Sequence, residues 1–264
     1  MSESTHDEQP VSVTLEERTY RRLRIWNAAL AVLHAGQAGV ILALSNHFTL
    51  PVTLGFLKGP PGTDVAQRNV YDLRIGPAVA AFLLLAAIDH GLMASPRIHR
   101  WYEANLARQL NPARWWEYSL SASLMIVLIA MLTGISDLAA LIAIFGTNAG
   151  MILFGLAMER ANRPGQPVDW RPFIYGCIVG AVPWIAIAIQ IGYSQHQTGD
   201  VPGFVFAIFV SLFVLFNSFA VNMVLQYKRV GPWRNYLFGE RAYLVLSLVA
   251  KSLLAWQVFF PTLT

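Results

Sequence analysis

Charged side chains are scarce in this sequence. Asp, Glu, Lys and Arg make up 13% of its 264 residues, whereas hydrophobic types make up 55%. An ordinary soluble domain has about a quarter of its residues charged. The shortage therefore excludes a typical water-soluble fold. Because the apolar residues are gathered into blocks of membrane-spanning length, the sequence indicates a single membrane domain.

Several other features are missing. Cys177 is the one cysteine, so no disulfide can form within the chain. Residues 1–23 are polar and lack the apolar segment of a secretory signal, so we expect a retained N-terminal tail there and a membrane domain over residues 24–264. The net charge of +4 comes from basic residues that flank apolar blocks. That arrangement is typical of topology signals and not of nucleic-acid binding.

Seven apolar runs have the length of about 20 residues that a membrane-crossing helix needs. The sequence therefore predicts an all-α membrane protein with a seven-helix bundle. The third and fourth runs are so close together that they must form a tight antiparallel pair. The predicted spans are residues 24–46, 74–94, 115–135, 137–158, 172–193, 202–227 and 240–260.

Basic residues are distributed unevenly between the two ends of the predicted bundle. The N-terminal tail and the even-numbered connections hold 15 of the 19 Lys and Arg residues, whereas the opposite connections hold Lys58, Arg68 and Arg74. Because Lys and Arg accumulate in cytoplasmic loops, we expect a multi-pass protein of the cell membrane with a cytoplasmic N-terminus and an extracellular C-terminus.

The long external connection, residues 47–73, has its own pattern. Strand-like segments at 52–57 and 65–71 flank a stretch rich in glycine and proline. This pattern predicts a β-hairpin between the first two helices, and an irregular loop is the alternative.

Lys251 lies near the middle of the last predicted span. A charged side chain at that depth costs about 3 kcal/mol or more, so such residues usually mark a functional site and face a partner. A buried lysine amine can condense with an aldehyde to an imine, and the protonated imine then needs a counterion. A structural salt bridge is the alternative.

Glu117 is the leading candidate for that counterion. Asn111 and Pro112 are typical of a helix start, and they put Glu117 more than one turn into the third span. The third and seventh helices start on the same side of the membrane. Because helical side chains lean towards the N-terminus, Lys251 should point towards the level of Glu117. An interfacial carboxylate paired with Arg114 is the alternative.

Two serines share helix faces with this predicted pair. Ser121 lies four residues after Glu117, and Ser247 lies four residues before Lys251. Residues with that spacing lie on the same face, so both hydroxyls could hydrogen-bond the imine and its carboxylate. A serine bonded to its own helix backbone is the alternative for each.

His34 and His90 fall in the same membrane half as Glu117. Together they predict a polar cluster that accepts a proton, since imidazole titrates near neutral pH. A buried structural histidine is the alternative for each.

Apolar and aromatic side chains near the middle of the spans could enclose a long apolar aldehyde. Such side chains are more often plain core, and buried asparagines either line a pocket or hold helices together. The candidates are Met125, Asn148, Met151, Trp184, Phe213, Phe216, Asn217 and Trp256.

Two segments and two histidines make the chain resemble the heliorhodopsins. The segments are residues 114–119, Arg-Trp-Trp-Glu-Tyr-Ser, and residues 247–251, Ser-Leu-Val-Ala-Lys, and the histidines are His34 and His90. The resemblance covers essentially the whole chain, including the inverted topology. It implies all-trans-retinal bound to Lys251 as a Schiff base, Glu117 as counterion, and a slow photocycle with deprotonation into the cytoplasmic cluster. It also implies homodimers in membrane lipid that signal to an unknown cytoplasmic partner.

Two positions differ from the ion-pumping rhodopsins. Ser247 stands where those pumps carry an acid, and Leu128 stands where outward proton pumps carry a second carboxylate, eleven residues after the counterion. We therefore expect a non-pumping light sensor and not an enzyme. The alternatives are a light-driven or light-gated ion transporter, and a membrane enzyme or transporter without retinal, which would need another use for Lys251.

Overall fold

The computed structural model describes the backbone of residues 15–263 and side chains from residue 18 onward. Most of the predicted tail over residues 1–23 therefore lies outside the described residues. Within them, seven helices are long and apolar enough to cross a membrane, which confirms the predicted all-α seven-helix bundle. The elements are α1 Leu15–Leu44, β1 Thr49–Leu57, β2 Val65–Arg74, α2 Ile75–Ala94, α3 Pro96–Leu106, α4 Pro112–Leu132, α5 Leu138–Ala161, α6 Arg171–Thr198, α7 Gly203–Tyr227, a 3-10 turn Gly231–Arg234 and α8 Tyr236–Thr262.

Several helices extend beyond the predicted spans. Helix α1 starts at Leu15, ahead of residue 24, and α8 starts at Tyr236, ahead of residue 240. Hydropathy detects only the part of a helix that crosses lipid, whereas Glu, Arg and Leu also propagate helix in water. The first turn of α8 is capped by Asn235, whose side chain accepts a hydrogen bond from the backbone N–H of Leu237 at 2.9 Å.

Helix α3 was missed because it is short and polar. It starts with Pro96 directly after Ser95, and proline is favoured in the first helical turn. Its inner face buries His99, Tyr102 and Leu106 while its other residues are largely exposed. The helix therefore lies along the end of the bundle and does not cross it.

The predicted β-hairpin is present and is somewhat longer than expected. Strands β1 and β2 pair antiparallel, with an irregularity between Val52 and Thr53. The backbone N–H of Thr53 donates to the carbonyl of Ser136 at 2.8 Å, and the two side-chain hydroxyls lie 3.0 Å apart. The hairpin is thus bonded to the turn between α4 and α5, where Gly134 takes a φ of 101° that favours glycine.

Asp137 strengthens this junction as the N-cap of α5. Its carboxylate accepts hydrogen bonds from the backbone N–H of Ala140 at 3.0 Å and of Gly55 in β1 at 3.4 Å. These donors, that of Ala140 above all, hold the pKa of Asp137 below its usual value because they stabilise the ionised form.

The bundle has two chemically different ends. One carries the hairpin and is called the hairpin end. The other carries α3, the α5–α6 connection and the 3-10 turn, and is called the basic end because 15 of the 19 Lys and Arg residues belong to it or to the tail. Helices α4 and α8 both run from the basic end to the hairpin end, so their side chains lean towards the basic end.

Candidate functional site

Lys251 lies in the middle of α8 and is 3% exposed. Its Nζ atom lies 3.1 Å from both carboxylate oxygens of Glu117 on α4. Nζ also donates a hydrogen bond to the hydroxyl of Ser247, one turn earlier on α8, at 2.8 Å. The ring of Tyr118 completes the surroundings, with its centre 4.8 Å from Nζ. The structure therefore brings Lys251, Glu117 and Ser247 together.

The backbone explains why these groups meet. Asn111 caps α4 by accepting a hydrogen bond from the N–H of Arg114 at 3.2 Å, and Pro112 occupies the first turn. This start places Glu117 more than one turn inside the bundle. A lysine and a carboxylate that are both removed from water gain much by pairing, because each would otherwise be buried without a partner.

A cavity of about 310 Å³ extends from Lys251 between α4, α5, α6, α7 and α8. This volume lies within the range of about 300–1,000 Å³ that is usual for small-molecule pockets. Five of the predicted apolar pocket residues line it, namely Met125, Met151, Trp184, Phe213 and Phe216. Asn217 and Ser247 line it as well. On α6, the ring of Trp184 packs edge-on against Phe213 and Phe216 of α7, with ring centres 5.3 and 5.4 Å apart.

Three predicted pocket residues lie elsewhere. Asn148 donates to the hydroxyl of Ser123 at 3.0 Å, so it holds α5 against α4, which was the alternative for this residue. Ser121 is fully buried outside the cavity lining, and its hydroxyl has no partner within the described chain. Trp256 packs against Phe259 and Phe260 and does not line the cavity.

His34 and His90 form a stacked pair between α1 and α2. Their ring centres are 5.8 Å apart and their planes differ by 7°. Nδ1 of His90 lies 2.8 Å from the side-chain oxygen of Asn27, to which it can donate. Both ring nitrogens of His34 are buried and lack a partner within the described residues. The two histidines are therefore together, as expected for a polar cluster.

Arg114 has partners other than Glu117. Its guanidinium donates to Glu159 on α5 and to Glu240 on α8, and all three side chains are buried. Asn111 donates from its backbone N–H to Glu159 at 2.8 Å and from its side chain to Glu240 at 2.7 Å. The predicted alternative of an Arg114–Glu117 pair is therefore wrong, because both terminal nitrogens of the Arg114 guanidinium donate to two other carboxylates.

This ionic cluster was missed because Glu159 and Glu240 fall at the ends of predicted spans. Acids there are usually solvated. The signal available in the sequence was an arginine and two acids, each within about one turn of an apolar span on the same side of the membrane.

The tight pairing of α4 and α5 was predicted, but the contact of Trp115 with Gly155 within it was missed. A Cβ added to Gly155 would lie 2.2 Å from the ring of Trp115, which lines the cavity. Glycine in a membrane helix commonly marks such a close approach. Tyr118 and Phe219 are further lining residues that were not predicted. No group of three or more His, Cys, Asp or Glu side chains suited to a metal ion occurs in the described part.

The fold and the site together define a membrane protein of the rhodopsin type, in which seven helices enclose a buried lysine, its carboxylate partner and an apolar cavity. The chain belongs to the heliorhodopsin family, whose pattern it matches over residues 23–263. No curated protein matches the chain. Among solved structures, it is similar to a light-driven proton pump from Leptosphaeria maculans, with 17% identity, a TM-score of 0.63 and coverage of 94% of this chain and 96% of the pump.

Family membership makes the protein a retinal-binding rhodopsin of the membrane. The residues present fit this cofactor. The cavity has largely apolar walls, it reaches a buried primary amine, and a carboxylate lies beside that amine. At 17% identity, the likeness to the pump concerns the fold alone.

Proposed function

We propose that this protein is a light sensor in which all-trans-retinal is attached to Lys251, with Glu117 as the counterion, and that it neither pumps ions nor acts as an enzyme. One observation carries the proposal: the amine of Lys251 reaches an apolar cavity while its nitrogen lies 3.1 Å from the carboxylate of Glu117.

When bound, retinal supplies the absorption of visible light and a light-driven change of shape. The aromatic wall of Trp184, Phe213 and Phe216 keeps water out of the cavity and restricts the orientation of an elongated apolar ligand. Met125 and Met151 fill the remaining wall with flexible side chains that adapt to the ligand's shape.

Glu117 and Ser247 control the charge at the Lys251 nitrogen. The carboxylate of Glu117 lies 3.1 Å away in a medium of low dielectric, where it attracts a positive charge on that nitrogen strongly. The hydroxyl of Ser247 adds an acceptor at 2.8 Å. Ser247 is neutral, so of the two side chains bonded to this nitrogen Glu117 is the one that balances its positive charge.

The distribution of acids supports a function without pumping. Vectorial pumping needs proton acceptors and donors on opposite sides of the nitrogen. In the described spans, the halves nearest the hairpin end contain no Asp or Glu. The predicted acceptors, Glu117, His34 and His90, lie towards the basic end. A proton that leaves the Lys251 nitrogen towards this end is therefore expected to return by the same route.

The basic end is proposed to face the cytoplasm, because most Lys and Arg residues belong to it. The N-terminus would then be cytoplasmic and the C-terminus extracellular. A light-driven shift of helices would be read by a cytoplasmic partner at this end, and a homodimer is the proposed assembly. Labelling of intact cells that carry a tag at either terminus of the chain tests the orientation. A C-terminal tag should be labelled from outside and an N-terminal tag should not.

The test of retinal attachment is reconstitution. All-trans-retinal added to membranes that contain the apoprotein should produce a visible absorption band with the wild-type chain. Lys251→Ala should abolish this band, because the cavity would lose its amine, while the control Lys228→Ala, which changes an exposed lysine, should keep it. A normal band in Lys251→Ala would contradict the proposed attachment site.

A second measurement separates the sensor from its rival, a light-driven or light-gated ion transporter. Patch-clamp recording of illuminated cells, with external pH followed in parallel, should give at most a transient charge shift. A steady photocurrent, or an uncoupler-sensitive pH change that depends on Lys251, would favour the transporter.

A further inference from the structure

A second cavity of about 490 Å³ lies on the outer surface of the bundle, away from Lys251. It is a groove over α8, bordered by Trp26 of α1 on one side and by α7 on the other. Its walls include Val221 and Leu225 of α7 and Val245 of α8. The exposed fractions of Trp26 and Val245 are both 43%, so the groove opens towards the surroundings of the bundle.

The polar groups in the groove are already satisfied within the protein. Asn222 accepts a hydrogen bond from the indole N–H of Trp233 at 2.7 Å and donates to the carbonyl of Gly239 at 3.2 Å. The interior therefore offers no free donor or acceptor at this position. An apolar occupant suits it better than a polar one.

The mouth of the groove is strongly basic. Arg241 lines it, and the adjoining connection between α7 and α8 carries exposed Lys228, Arg229 and Arg234. None of these four side chains makes an ion pair with the described residues. No Asp or Glu occurs between residues 223 and 239, and Glu240 is buried against Arg114. The positive charge at this mouth is therefore not neutralised by neighbouring carboxylates.

The depth of Arg241 matches the membrane interface. It is the sixth residue of α8 and so lies about 8 Å along the helix from Tyr236. A bilayer has headgroup regions of about 5–8 Å on each side of its hydrocarbon core. The guanidinium can extend towards the headgroups while its methylene chain stays in the groove. Trp26 and Trp233 lie beside it, and tryptophan is enriched at that level.

We propose that this groove is a binding site for an anionic glycerophospholipid, with an acyl chain along the apolar walls and the phosphate at Arg241. The four cations have no carboxylate partner among the described residues, although Arg241 also donates to the carbonyl of Leu237 at 3.4 Å. They complement a phosphate and a second negative group, whereas a zwitterionic lipid would return a positive charge to the same place. A second copy of the chain is disfavoured as occupant of this groove, since a symmetric contact here would bring its own four cations against these, and the proposed homodimer is expected to use another face. The proposal is independent of retinal and of Lys251.

The experiment uses the purified full chain after delipidation. Phosphatidylglycerol and phosphatidylcholine with identical acyl chains are titrated separately, and bound lipid is counted by native mass spectrometry. Thermal unfolding is followed in parallel. Arg241→Gln removes the headgroup contact and Val245→Trp fills the groove from an exposed position. Arg97→Gln is the matched control, because it removes an exposed charge at the same end but outside the groove.

Wild-type protein and Arg97→Gln should bind phosphatidylglycerol in preference to phosphatidylcholine and should unfold at a higher temperature with it. Arg241→Gln should bind phosphatidylglycerol about fivefold more weakly. Val245→Trp should lose the bound lipid, and inorganic phosphate should not replace it. Three outcomes would each overturn the proposal. The first is equal binding of the two lipids, and the second is equal binding of phosphatidylglycerol by Arg241→Gln and Arg97→Gln. The third is a change of oligomeric state in Val245→Trp with lipid binding retained.

Discussion

Replacing Arg114 by Met should destabilise the protein strongly. The change removes one positive charge from between Glu159 and Glu240, whose exposed fractions are 4% and 2%. Both carboxylates would keep their hydrogen bonds to Asn111 but would face each other without a cation. Removing one partner from a buried ionic group costs about 3–5 kcal/mol, which is a large share of the total of about 5–15 kcal/mol that is typical of folded proteins.

The stacking of Arg114 adds to this cost. Its guanidinium lies 3.9 Å from the ring centre of Tyr243 and 4.6 Å from that of Trp115. Contacts of this kind contribute about 0.5–2 kcal/mol each. We therefore expect the loss to reach the upper part of the 3–5 kcal/mol range quoted for a broken buried ionic group.

Chemical unfolding of the reconstituted protein, followed by tryptophan fluorescence, measures this loss. The triple variant Arg114→Met, Glu159→Gln and Glu240→Gln should recover most of the stability, because it removes the unpaired charges together with the cation. Arg171→Met is the control, since Arg171 pairs with Asp169 at the surface and should contribute no measurable stability. If Arg114→Met were as stable as Arg171→Met, the buried cluster would not be a stabilising element.

Three further perturbations address the site and the hairpin. In Glu117→Gln reconstituted with retinal, the visible band should be lost at a lower pH than in the wild type, and any remaining band should lie at longer wavelength. Both effects are expected because no carboxylate then balances the positive charge at the Lys251 nitrogen. An unchanged pH titration would assign the counterion elsewhere. Gly155→Ala should displace the ring of Trp115 and shift the absorption maximum, and overpacking should lower the free energy of unfolding by about 1–3 kcal/mol. An unchanged spectrum and unfolding curve would contradict the packing described. Asp137→Ala should increase hydrogen exchange at the backbone N–H of Gly55. Because folding lowers the pKa of Asp137, the stabilisation from its carboxylate is complete above about pH 4 and is lost as the pH falls below that value. Protection of Gly55 in the wild type should therefore fall on acidification, whereas in the variant it should stay constant.

The central pair was predictable because it follows from helix direction. Lys251 is an isolated charge in an apolar span, Glu117 lies inside the third span, and both helices start at the same end. These facts require no tertiary information beyond the antiparallel order of the helices. The apolar cavity wall was predictable for a similar reason, since Trp184, Phe213 and Phe216 lie near the same depth.

Partner choice among charged residues was not predictable. Arg114 is three residues from Glu117, which favours a local pair, yet Arg114 bonds to Glu159 and Glu240 from other helices. The rotation of each helix about its own axis decides which charged side chains meet. The spacing of charges along the sequence does not encode that rotation. Close packing of Trp115 on Gly155 depends on rotation in the same way, and α3 was missed because its polar composition gives no hydropathy signal.

The hairpin has a practical use as an attachment point for probes. Its exposed tip, residues 59–64, is a surface turn of the kind that tolerates insertions. The middle of β1 is joined to the turn between α4 and α5, through Thr53 bonded to Ser136 and Gly55 bonded to Asp137. A fluorophore inserted at the tip would thus be connected by a paired β-ladder, and not by a flexible loop, to the helix that carries Glu117. Such a label could record movements of α4 from a position about 20 Å along the hairpin from Thr53, which is the length of roughly six β residues, without any substitution near Lys251.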